Sequence, residues 1–192
     1  MPSAYNSRIV YTLYNLKIAV WDGSNYGSPI ALADEQTFTF EPQVDEAEMK
    51  SGGIVRHLLA VATHITGTLS QGRVQEDVQD ALTGITSSES GSSGSRQADG
   101  GIDAGADLDY FGAVGAFHTD GGGNIVVGVP LCKPSSGFFG FTQDSQNDFI
   151  MQEASIRGIA NDLSSQPDRI VFRRENEAAA LVTDFDTFFG IS

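Results

Sequence analysis

With one cysteine, three histidines and only 11 basic residues in 192, the chain lacks the raw material for several common functions. A lone thiol, Cys132, can form no intrachain disulfide. Standing beside Leu131 in an apolar run, it reads as a small core residue rather than a nucleophile. His57 and His64 fall seven apart in a predicted strand, which puts them on opposite faces and keeps them from sharing a metal; His118 sits at a hairpin edge. No run approaches the ~18 apolar residues of a membrane helix. The start, Met1-Pro2-Ser3-Ala4-Tyr5-Asn6, has no basic segment followed by an apolar one. A chain made in a cytoplasm, initially soluble and without a membrane partner, is therefore expected.

Acid is what the chain has in excess: 25 Asp and Glu give a formal charge of −14. Such a surface repels phosphates, which argues against ordinary nucleic-acid binding, although nucleic acid could slide past it without sticking. The 22 glycines and 12 phenylalanines suit a turn-rich β protein with aromatic sheet packing.

The pattern along the chain agrees. Arg8–Trp21 is rich in β-branched and aromatic residues and ends in a turn cluster at 22–29. Glu35–Val44 alternates, with Phe38 and Phe40 on one side and Thr37, Thr39 and Glu41 on the other, as in a sheet with one dry and one wet face. The charged stretch Asp45–Gly53 reads as a projecting loop. Ile54–Leu69 resumes the period of two, with Leu59, Val61 and Ile65 sharing one face and Ala60, Ala62, His64, Thr66 and Thr68 the other. A helix is predicted over Arg73–Thr83 from Val74, Val78 and Leu82, with Gly84 as its cap. The Ser/Gly-rich segment 85–107 reads as a mobile surface loop. Strands return at Tyr110–Phe117 and Ile125–Val129, around a glycine-rich turn at 118–124, and at Gly137–Phe141, Asp148–Ile159 and Arg169–Arg174. For 175–189 a helical stripe and a hairpin with return strand Ala179–Phe185 both fit, and the surrounding strands favour the hairpin. The whole, residues 1–192, reads as one mainly β domain with a flexible insertion at 85–107.

No motif specifies an enzyme. Gly121-Gly122-Gly123-Asn124 lacks the following Lys and helix of a phosphate loop. Gly91-Ser92-Ser93-Gly94-Ser95 has no buried strand before it, as a nucleophile elbow needs. Asp103, Asp107 and Asp109 do not follow the Ca²⁺-loop spacing, and among so many acids no pair can be singled out as a glycosidase couple. No catalytic residue, metal or cofactor is assigned.

The order of segments resembles the major tail tube proteins of long-tailed, siphovirus-type bacteriophages. The stretches that carry the resemblance are Leu16–Val20 with its glycine turn, Thr37–Glu48, Gly52–Leu69, the helix Val74–Leu82 with Thr83-Gly84, and Pro130–Ile150; the insertion 85–107 is a departure. The resemblance implies a β-sandwich or partly open barrel with one flanking helix. It further implies six copies closing into a ring, and rings stacking into the virion tube through which the genome leaves. Partners would be the chain itself, a tape measure protein and a tail terminator protein, with DNA passing unbound. On this reading Thr37, Thr39, Glu41 and Gln43 line the channel, while Phe38, Phe40 and Val44 face the core. The Asp45–Gly53 loop, with Asp45, Glu46, Glu48 and Lys50, reaches the neighbouring ring. Other classes are a tube subunit of a contractile or injection machine, a head decoration protein, and a β-sandwich carbohydrate-binding or hydrolytic module. The last needs exposed aromatic platforms, and the single tryptophan, Trp21, is expected in the core.

Overall fold

A computed structural model describes residues 10–51, 54–73, 75–84, 88–92, 95, 97–99, 107–120, 123–136, 141–143, 150–160, 162, 165, 168–176 and 182–191. The chain is mainly β. Strands β1 (Val10–Val20), β2 (Ile30–Ala31), β3 (Glu35–Ser51) and β4 (Ile54–Gln71) precede helix α1 (Glu76–Thr83). Strands β5 (Ser88–Ser90), β6 (Gln97–Asp99), β7 (Phe111–Thr119), β8 (Asn124–Ser136), β9 (Phe141–Gln143), β10 (Ile150–Ile159) and β11 (Phe172–Asn176) follow, and helix α2 (Phe185–Phe189) comes last.

One antiparallel sheet runs in the order β2-β1-β7-β8-β10-β4-β3, with β11 added to β8 and β9 to β10. Strand β8 changes partner partway along one edge. Asn124–Gly128 pairs with β11, and Leu131–Ser136 pairs with β10. Pro130, which has no N–H to offer, stands between the two ladders. Beyond this point the sheet curls, so that Phe38 of β3 joins Leu16 and Ile18 of β1 in one core although the two strands do not pair. The curl needs Gly115: a Cβ there would lie 2.6 Å from Phe38 Cδ1. The barrel is left open.

Both faces of the β1–β7–β8 region are covered, which explains the consecutive buried residues of β7. On one face Leu16, Ile18, Phe111, Ala113 and Val129 pack with Phe38, Ile65 and Leu69 and with Val78, Ala81 and Leu82 of α1. On the other, Ala19, Val114, Ala116 and Val126 pack against Phe172 and the three phenylalanines of α2. Helix α1 begins at Glu76, three residues later than expected, with Val74 outside the described residues; it ends as expected at Gly84, in the left-handed conformation with φ 70°, its N–H bonded to Asp80 O.

The structure departs from expectation at the tail. The tail does not return as a strand through Phe185. That residue opens α2, whose N-cap Asp184 accepts from Asp186 N (3.0 Å) and Thr187 Oγ1 (2.7 Å), while Gly190 (φ 73°) closes it. Residues 177–181 of the expected hairpin lie outside the described residues. A second helix thus joins the single one expected. Within the Ser/Gly-rich segment, Ser88–Ser90 and Gln97–Asp99 pair as a small ribbon apart from the main sheet. The expected strand start at 137–140 lies outside the described residues.

Phe189 is fully buried, with ring centroids of Phe188, Phe172, Tyr26 and Phe185 at 5.0, 5.2, 5.3 and 5.8 Å. Phe189→Ala should lower the unfolding free energy by about 3–5 kcal/mol in a urea titration. A loss below ~1 kcal/mol would show that α2 is not part of the cooperative core.

Candidate assembly surface

The strand ladder outruns the core at β3 and β4. These two pair from Glu35↔Gln71 to Ser51↔Ile54, and β3 is the last strand of its sheet, so its outer edge has no strand partner among the described residues. Such an edge offers main-chain donors and acceptors to any strand that fits it. Pro42 removes one donor from it.

Over the body this hairpin has one buried and one wet face. Phe38 and Leu69 face the core, whereas Thr37, Thr39, Glu41 and Gln43 stand opposite Ser70, Thr68, Thr66 and His64 on the other face, which is closed over at the buried Ser70 and open to water from Thr39 onward. Thr39, Glu41 and Thr66 are exposed, Thr37, Gln43 and Thr68 half-buried, and Gln43 Nε2 donates to Thr66 Oγ1 at 3.0 Å. The same face continues across the sheet. Thr66 pairs with Arg157 of β10 and Arg157 with Lys133 of β8, so one row reads Glu41, Thr66, Arg157, Lys133. At ~4.8 Å per strand, the two cations lie roughly 10–14 Å from Glu41. Lys133 Nζ is bonded to Asp107 at 2.6 Å and lies 4.3 Å from the centroid of Tyr110. The wet face is polar and of mixed charge, not uniformly acidic.

Past Gln43 the hairpin leaves the body. Thr63 is an extra residue on β4, because Gln43 pairs with His64 and Val44 with Ala62. This bulge reverses the parity read from sequence. Leu59 and Val61 share a face with His64, and Ile65 lies on the other. His57 and His64 likewise fall on one face, but six strand rises, about 20 Å, separate them. Val44, expected in the core, is exposed.

Asp45–Gly53, expected as a loop, is strand as far as Ser51 and forms one half of an arm roughly 24 Å long; residues 52–53 lie outside the described ones. Every residue from Val44 to Lys50 and from His57 to Thr63 is exposed. The arm carries Met49 (64% exposed), Leu59 (61%), Leu58 (59%), Val61 (49%) and Val44 (46%) into solvent. Register sorts its side chains. Asp45, Ala47 and Met49 face the same way as Val61, Leu59 and His57; Val44, Glu46, Glu48 and Lys50 face the same way as Ala62, Ala60 and Leu58. The first face carries an apolar strip of Ala47, Met49, Leu59 and Val61 flanked by Asp45 and His57, and the second mixes Glu46 and the Glu48–Lys50 pair (2.9 Å) with Leu58 and Val44. A two-stranded ribbon uncovered on both faces is marginal in water.

The remaining chemistry-bearing residues have structural surroundings. Cys132 is fully buried, and burial pushes its thiol far above the ordinary range. His118 stacks on Tyr14 with centroids 3.7 Å apart. Asp184 caps α2, and its carboxyl is held low first by the Thr187 hydroxyl; Asp186 Oδ1 accepts from Tyr26 N at 2.9 Å. Trp21 is half-buried against Tyr26 rather than in the core. Asp103 lies outside the described residues. Among the described residues no three His, Cys, Asp or Glu side chains come together as metal ligands, and no helix is long and apolar enough to cross a membrane.

These features define a class: a mainly β, antiparallel protein with an unpaired sheet edge and an apolar arm outside its core. No protein-family model matches the sequence, and no curated protein does. Among solved structures, the chain is similar to one from the sheath/tube terminator of an extracellular contractile injection system, PVC, in the extended state. There the identity is 13% and the TM-score 0.43, over 85% of this chain and 96% of the other. It is also similar to a chain of the anti-feeding prophage (AFP) baseplate, at 10% identity and TM-score 0.36, over 91% of this chain and 97% of the other. Likenesses this loose carry no argument about what this chain does.

If the arm packs on nothing within its own chain, Leu59→Ser with Val61→Ser should shift the unfolding free energy of the monomer by no more than ~0.5 kcal/mol. It should also reduce binding of a hydrophobic dye to the folded protein. A loss above ~2 kcal/mol would show that the arm is packed in the monomer.

Proposed function

We propose that the chain is a structural tail tube subunit of a phage-type particle, which assembles with copies of itself into stacked rings and performs no catalysis. The observation that carries the reading is the arm. A long hairpin that exposes five large apolar side chains, continuous with an unpaired edge strand, serves a monomer poorly and an assembly well. The sequence resemblance to major tail tube proteins agrees, and supplies hexameric rings, a tape measure protein and a tail terminator protein as the expected partners.

In the proposed ring the edge of β3 pairs with a strand of the adjacent copy, and the wet face of the hairpin lines the bore. Thr37, Thr39, Glu41 and Gln43 then meet the passing DNA together with Thr66, Thr68 and Arg157. A short polar wall of balanced charge lets a polyanion move without a strong electrostatic trap. The arm, with its apolar strip and with Asp45, Glu46, Glu48 and Lys50, reaches a copy in the next ring. Burial there stabilises the contact at ~25 cal/mol per Å² of apolar surface removed from water.

Two outcomes test this. Replacing residues 45–61 by Asn-Gly leaves Val44 and Ala62 as the closing pair of a tight hairpin. That chain should stay folded and monomeric under conditions in which the full chain forms tubes in negative-stain micrographs. Tubes of normal length would refute the role of the arm. Glu41→Lys would place a third cation in the row with Arg157 and Lys133. Tubes built from it should retain DNA at low salt and release it at high salt, whereas unchanged DNA passage would remove Glu41 from the bore.

A further inference from the structure

Three of the chain's 11 basic residues, Arg169, Arg173 and Arg174, line one cavity of about 280 Å³ together with Phe172, Thr187 and Phe188. The Arg169 guanidinium lies 5.4 Å from the centroid of Phe172 and that of Arg174 lies 5.2 Å from Phe188. Arg174 Nη2 also donates to Phe188 O at 3.3 Å. Aromatic faces hold the two guanidinium groups and leave N–H edges for a ligand. No carboxylate among the described residues pairs with Arg169 or Arg174, in a chain with 25 acids. A cavity ringed by cations in so acidic a protein calls for carboxylates, which bind guanidinium by two parallel hydrogen bonds.

Helix α1 supplies the complement. Its first turn carries Glu76 and Asp77, both exposed, and its last turn has no basic residue. The cavity and the helix lie on opposite sides of the molecule. Val78, Ala81 and Leu82 of α1 pack on one face of the β1–β7–β8 region, while Phe172 and Phe188 beside the cavity pack on the other. The sheet separates them, so the acidic turn of one copy fits the cavity of the next. Unlike patches on opposite sides make a head-to-tail contact, the kind that closes into a ring or runs on as a filament.

We propose that the Arg169–Arg174 cavity receives Glu76 and Asp77 of a second copy of this chain. The proposal rests on the reading that the chain self-assembles, and names one of the contacts by which it does so. The test is assembly of the full chain, followed by sedimentation and negative-stain micrographs. Arg169→Glu with Arg174→Glu, and separately Glu76→Lys with Asp77→Lys, should each raise the concentration for half-assembly at least roughly tenfold. A 1:1 mixture of the two variants should restore it, since an alternating ring re-pairs every charge. If the double cavity reversal fails to fold, Arg169→Gln, an exposed side chain outside both cores, supplies the same comparison with a smaller rise. Variants that assemble at the wild-type concentration, or a mixture no better than its parts, overturn the cavity contact and leave the tube reading standing. A wild-type chain that never assembles removes both.

Discussion

The structure turns on one mismatch: the β3–β4 ladder is about twice as long as the core that could cover it. Near Phe38 and Leu69 the hairpin is held by burial against β1 and α1. Beyond Val44 the same main-chain hydrogen bonds continue with no packing on either side. Backbone pairing alone contributes little net stability in water, because solvent offers the same bonds. A ribbon that continues for eight residues past its core gains its stability from what covers it, and among the described residues of one chain nothing does.

The remainder of the molecule is a rigid base for that arm. Strand β8 is shared by three neighbours, pairing with β7 on one edge and with β11 and then β10 on the other. Because β1, β7 and β8 are buried on both faces, the sheet cannot slide in register without exposing one of two cores. Helix α2 completes the second core with three phenylalanines in five residues. Its side of the molecule carries the arginine cavity, while α1 presents acid on the other. Unlike charges on the two sides can orient one copy against the next.

Much of this was legible in the sequence, and the failures share a physical cause. Strand β1 showed only as a run rich in β-branched and aromatic residues, whereas period-two alternation marked β3 and β4 and the Val74–Leu82 stripe with Gly84 marked α1, because burial on one face leaves a regular imprint. A bulge leaves none. One extra residue at Thr63 reversed the faces of Leu59, Val61 and His57 relative to Ile65, and Val44 moved from the expected core to solvent. Asp45–Gly53 reads as a loop because its charges and glycines resemble a turn, whereas main-chain pairing with the residues just beyond the turn, from Ile54 to Val61, makes it strand. The α2 segment fitted helix and hairpin alike, and the Asp184 and Gly190 caps decided it. Arg169, Arg173 and Arg174 are close in sequence, but only the fold brings Phe188 beneath Arg174 and makes a cavity of them.

The candidate bore residues illustrate what pattern can and cannot supply. Alternation placed Thr37, Thr39, Glu41 and Gln43 on one face of β3, opposite Phe38, and the register keeps the four together. It could not show that Arg157 and Lys133, far away in sequence, stand in the same row as Glu41. Self-association is the claim on which the functional account stands. Sedimentation velocity of the unmodified chain over a wide concentration range tests it most directly. The account predicts that the monomer gives way to much larger, discrete species as concentration rises; a single monomer boundary at every concentration would contradict it.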